Sequence, residues 1–61
     1  MYKYGEIGYE PEGESRDLNE AIQSATSMSA DSPDSHVGIW NGQGDLLYVT
    51  VEGDLFKLVE A

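Results

Sequence analysis

"HVGIWNGQGDLLYVTVEGDLFKLV", residues 36–59, decides the fold. Three apolar runs, 36–40, 46–51 and 55–59, are divided by "NGQGD" and "EGD". The runs are rich in β-branched and aromatic residues, the types that suit a pleated, half-buried surface. Asn41-Gly42 is the strongest short hairpin signal, and Glu52-Gly53-Asp54 reads as a second tight turn. Together they predict a three-stranded antiparallel meander.

Alternation then assigns faces. In the first run Val37 and Ile39 share one face, and His36, Gly38 and Trp40 the other. In the second, Leu47, Val49 and Val51 oppose Leu46, Tyr48 and Thr50. A two-residue turn at Gly53-Asp54 pairs Val51 with Phe56 and Val49 with Leu58. One continuous apolar side results: Val37, Ile39, Leu47, Val49, Val51, Phe56 and Leu58. The opposite side carries Trp40, Leu46, Tyr48 and Leu55, with Thr50, Lys57 and His36.

Upstream lies the element that needs such a surface. Leu18, Ala21, Ile22, Ala25 and Met28 recur at three and four residues, which puts them on one helical face. Asp17 with Glu20 three residues later forms a capping-box pattern, and Ser15 competes as N-cap. The helix is predicted over 17–29. "DSPDS" at 31–35 ends it, because Pro33 holds Ser32 extended. Residues 2–9, "YKYGEIGY", read as a bulged or edge strand interrupted by Gly5 and Gly8, with Tyr2 and Tyr4 on one face. Residues 10–16 read as loop, punctuated by Pro11 and Gly13. The chain is therefore predicted to be one small two-layer α+β domain over 1–61, in the order β-α-β-β-β.

Sixty-one residues bury only a modest share of their unfolded surface. There is no cysteine, hence no disulfide and no thiolate metal site, and His36 is the single histidine. A chain so limited gains stability from an unusually tight core or from association. If the tyrosine-rich N-terminal segment does not cover the Trp40 side of the sheet, a large aromatic and aliphatic patch stays open, as interaction sites do. If the sheet curls, Trp40 is core.

Charge narrows the function classes. Twelve Asp plus Glu stand against Lys3, Arg16 and Lys57, a net charge of −9. Such a field repels nucleic acid and anionic membranes and favours a basic partner. One class of basic partner is the nucleic-acid-handling enzyme. The start of the chain lacks the pattern of a signal peptide, and no apolar run nears the ~20 residues of a membrane span. A cytoplasmic protein is expected.

Catalytic and ligand-binding patterns are weak. Asp31, Asp34 and His36 lack the regular oxygen-ligand spacing of a calcium loop and have no second histidine or cysteine. They read as turn-capping residues. No serine sits in a Gly-x-Ser-x-Gly elbow. The carboxylates are scattered rather than paired as glycoside chemistry requires. "GEIGYEPEG" has glycines but no following Gly-Lys-Ser/Thr, and its glutamates repel phosphate. No enzyme activity, cofactor or metal is expected.

"GYEPEGESRD", residues 8–17, carries the remaining signal. If 10–14 run extended, Glu10, Glu12 and Glu14 repeat at roughly 6.6 Å, or about 6.2 Å on a polyproline-like path. Either step is near the through-space spacing of phosphates on one nucleic-acid strand, whose axial rise is ~3.4 Å per charge. Asp17 and Glu20 extend the anionic surface. The helix dipole accounts for Asp17 and Glu20 without any partner; it does not reach Glu6, Glu10 and Glu12, for which general acidity for solubility is the competing account. The expected partner-binding residues are Glu10, Glu12, Glu14, Asp17, Glu20, Trp40 and Tyr48, acting in an interaction or inhibitor protein. Its size and charge are similar to those of small phage-encoded inhibitors. The alternative is a homodimer through the aromatic sheet face.

Overall fold

The computed structural model describes residues 1–58. Its elements are β1 (Tyr2–Glu6), β2 (Gly13–Ser15), α1 (Leu18–Asp31), β3 (His36–Trp40), β4 (Leu46–Val51) and β5 (Asp54–Lys57). The strands form one antiparallel sheet in the order β2-β1-β3-β4-β5. The α1 helix packs on one side. This is an α+β domain with the expected C-terminal meander. β2 is an addition, formed within a stretch that reads as loop. β1 ends earlier than the tyrosine pattern suggests, because a turn closes at Tyr9 N–H to Glu6 O (3.2 Å) with Gly8 at φ 95°.

The helix begins where its capping residues place it, but the cap is wired differently from a reciprocal box. Asp17 Oδ1 accepts from the Asn19 N–H at 2.8 Å. The Asp17 N–H donates to Ser15 Oγ at 3.1 Å, and the Ser15 hydroxyl donates to Glu20 Oε2 at 3.0 Å. Ser15 thus stands between the two acids and ties the end of β2 to the first turn. At the other end the Ser32 N–H closes on Met28 O at 3.1 Å, just before Pro33. The helix runs two residues past the predicted stop.

The face assignment of the meander is corrected by the registers. Asn41 and Asp45 flank a three-residue loop, not a two-residue Asn-Gly turn. Asn41 Oδ1 accepts from the Gln43 and Asp45 N–H groups, and Gly44 takes φ 89°. Trp40 pairs with Leu46 but Ile39 pairs with Tyr48, so one residue is absorbed as a bulge. A one-residue shift inverts every side chain beyond it. Tyr48 and Thr50, rather than Val49 and Val51, therefore share the face of Ile39 and Val37. The second turn is Glu52-Gly53, both at positive φ (53° and 84°), which pairs Val49 with Phe56 and not with Leu58. Val49, Val51 and Phe56 stay together as grouped, but on the side away from the helix.

The core under α1 is built from small residues. Ala21, Ala25 and Ser29, spaced by four, are fully buried against the sheet beside Val37, Ile39 and Thr50. Small side chains let the helix come close enough for polar contact. Thr50 Oγ1 reaches Ala25 O (3.1 Å) and Val37 O (3.3 Å). The Ser29 hydroxyl donates to Thr26 O and accepts from the Gly53 N–H, both at 3.0 Å. Tyr2, Tyr4, Leu18, Ile22, Met28 and Tyr48 close the flanks.

Candidate partner-binding surface

The acidic stretch is organised by β1. The Glu12 N–H bonds Tyr4 O at 2.9 Å, and Gly13 pairs with Tyr4. A Cβ on Gly13 would sit 2.5 Å from Tyr4 Oη. Only glycine lets the tyrosine lie against the backbone between Glu12 and Glu14. Next to it, a Cβ on Gly5 would meet Glu12 N at 2.7 Å and Pro11 Cα at 2.9 Å, so the chain crosses directly over Gly5.

This path brings Glu10, Glu12 and Glu14 to one open groove, lined also by Lys3, Pro11 and Gly13. Lys3 stands opposite Glu14 in the ladder. Glu10, Glu12 and Glu14 are all exposed. Asp17 and Glu20 follow at the start of α1, with Glu20 held to Ser15 of β2. Both are engaged by their capping bonds, so the freer charges are the three glutamates. Residues 10–20 hold five carboxylates and one cation, Arg16, with Lys3 alongside Glu14 in the ladder.

Trp40 is half-buried and lines a second groove of about 480 Å³ with Lys3, Tyr9, Pro11 and the 41–44 loop. Lys3 and Pro11 border both grooves, so the aromatic and acidic surfaces adjoin. Tyr48 does not belong to this surface. It lies on the helix side and packs against the core, which corrects its expected place beside Trp40. Tyr9, 71% exposed, is the site residue that sequence reading overlooks. Its signal is its place directly before Glu10 in the loop that crosses Gly5.

A third cleft, at the C-terminal end of α1, is lined by Glu6, Glu12 and Asp31 with Met28, Ser32, Ser35 and Val37. The Ser35 hydroxyl donates to Glu6 Oε1 at 3.3 Å. Among the described residues no group of three or more His, Asp or Glu side chains is arranged to hold a metal ion. Asp31 ends the helix, Asp34 lies in the following turn, and His36 opens β3. No helix among them is long and apolar enough to cross a membrane. Comparison with protein-family models, curated proteins and solved structures found no match.

Proposed function

We propose that this chain is a small binding protein that docks its acidic strip on a basic surface of a partner protein. The reading rests on one observation: the groove of Glu10, Glu12 and Glu14 adjoins the groove of Trp40 and Tyr9. Charge steers the encounter and selects a cationic counterpart, while aromatic groups supply the desolvated contact that holds it. Glu14 lies in β2 and Glu12 is tied to Tyr4 just before it, and in extended backbone alternate side chains repeat at roughly 6.6 Å. Three glutamates along one groove favour a partner whose basic surface accepts a phosphate backbone, and so an inhibitor of a nucleic-acid-handling enzyme in the cytoplasm. The chain acts by occupying a surface and not by chemistry of its own.

The test separates position from net charge. Glu10→Gln, Glu12→Gln and Glu14→Gln are combined in one variant. Asp31→Asn, Asp34→Asn and Glu52→Gln are combined in a charge-matched control. Capture of basic proteins from extract at low salt should fail for the first variant and persist for the second. Equal loss from both would reduce the strip to bulk acidity and overturn the reading.

A further inference from the structure

The registers set three unlike side chains in one row across the outer face of the sheet. Lys3 of β1 lies directly opposite Trp40 of β3 on one flank and Glu14 of β2 on the other. Directly opposite residues in an antiparallel pair share a face. Neighbouring strands lie about 4.8 Å apart, so the cation stands one strand spacing from both the aromatic and the acid. Two residues further along β1, the 10–12 loop crosses Gly5 on the same face and brings Glu10 and Glu12 alongside. Lys3 is exposed and borders both the glutamate groove and the Trp40 groove. Among the described residues that line the Trp40 groove, it is the one charged side chain; Tyr9, Pro11, Trp40 and the 41–44 loop are uncharged. The chain has only three Lys and Arg residues, and one of them occupies the junction of an anionic strip and an aromatic groove. An exposed cross-strand pair with Glu14 adds little to stability, so the fold does not depend on a cation at this point.

We infer that Lys3 is the specificity-determining residue of this surface: it confines a partner's cations to the glutamate groove and keeps them off Trp40 and Tyr9. The inference rests on the acidic-strip reading and adds what the partner must look like. An aromatic face attracts cations much as a carboxylate does. Without Lys3, the strip and the aromatic groove would form one continuous cation-accepting surface, open to any polycation. With Lys3 in place, a partner that carries positive charge across the junction meets like charge there. The fitting partner is therefore basic where it meets Glu10, Glu12 and Glu14, and uncharged or acidic where it meets Trp40. A repulsive element of this kind gives specificity by weakening wrong complexes and not by strengthening the right one.

Decalysine, a uniform polycation, is the probe. Calorimetry at low salt reads its affinity, and the emission of Trp40, the chain's single tryptophan, reads whether it enters the aromatic groove. Wild-type chain should bind decalysine with its emission unchanged. Lys3→Gln should bind about three- to fivefold more tightly, as expected when one unit of like charge is removed beside the probe, and its emission should now respond. Lys3→Arg should behave as wild type. Lys57→Gln is the charge-matched control. Lys57 lies on β5, three strands from β1, and registers with Tyr48 on the helix side, so its loss should change affinity less than about twofold and leave emission unchanged. Both lysines are exposed, and all three variants should melt close to wild type. Equal tightening by Lys3→Gln and Lys57→Gln would reduce Lys3 to bulk charge and overturn the inference while leaving the strip in place. A wild-type emission that responds as fully as that of Lys3→Gln would overturn it as well. Wild-type chain that binds no decalysine even in dilute buffer would remove the strip itself, and the role of Lys3 with it.

Discussion

Ser29→Ala tests the polar seam that joins α1 to the meander. Ser29 is fully buried, and its hydroxyl both donates to Thr26 O and accepts from the Gly53 N–H. Thr26 O keeps its place in the helix ladder without that bond. Gly53 N–H does not keep a partner, and it sits in a half-buried turn fixed by two consecutive positive φ angles. Leaving a donor unpaired costs ~1–3 kcal/mol. Alanine repays about 0.5 kcal/mol through better helix propensity. The net loss is therefore ~0.5–2.5 kcal/mol, and ~1.5 kcal/mol in a domain this small lowers Tm by about 6–12 °C. The assay is thermal unfolding followed by circular dichroism at one fixed protein concentration. Ser27→Ala is the control on the same helix: Ser27 is exposed, so the propensity gain should stand alone and Tm should hold or rise slightly. If the two variants melt together, at or above wild type, Ser29 does not carry the seam.

Two further substitutions separate the faces of the sheet. Gly38→Ala forces a methyl against Leu46, Trp40 and Ile7 at 2.8–3.1 Å, so it should cost ~1–3 kcal/mol and lift Trp40 toward water. A red-shifted tryptophan emission is expected, and unchanged emission with unchanged stability would refute the packing over Gly38. Ile39→Ala removes a fully buried side chain from the central strand and should cost ~2–5 kcal/mol in urea unfolding. Val49→Ala, on the half-buried outer face, should cost less under conditions where the chain is monomeric. Equal losses would mean that the helix covers the wrong side.

Local features were the most legible in the sequence. The stripe from Leu18 to Met28 and the N-cap position of Asp17 needed only spacing and side-chain chemistry and appear as read, whereas the expected box with Glu20 is replaced by the Ser15 bridge. The three strands of the meander were equally plain from their β-branched runs. Which side of the sheet meets the helix was not, because that parity turns on one extra residue of β4, Leu47, in the bulge opposite the Ile39–Trp40 step. Hydrophobicity favoured Val49 and Val51 inside. The chain instead seats Thr50 there, where its hydroxyl reaches Ala25 O and Val37 O, and the Ala and Ser ridge of α1 leaves it room. A threonine and a serine as core residues have no hydropathy signature. β2 was hidden for a related reason. Gly13 and Ser15 are weak strand formers, and their pairing depends on Tyr4 lying against Gly13, a contact distant in sequence.

The same gap runs through the binding surface. Glu10, Glu12 and Glu14 were visible as an alternating run, and the fold gathers them at one groove. Trp40 was visible as an aromatic on the outer face. Its neighbour Tyr9 was not, because the loop that carries it crosses Gly5 only after β1 and β2 have paired. Tyr48 went to the opposite side with the bulge.

The salt dependence of association with a basic protein retained from extract bears most directly on the proposed role. Wild-type chain should bind it with an association rate that falls steeply between about 50 and 500 mM salt, as screening shortens the reach of the strip. The Glu10/Glu12/Glu14→Gln variant should start slower and respond far less. An association rate indifferent to salt, or no basic protein retained even in dilute buffer, would contradict electrostatic docking outright.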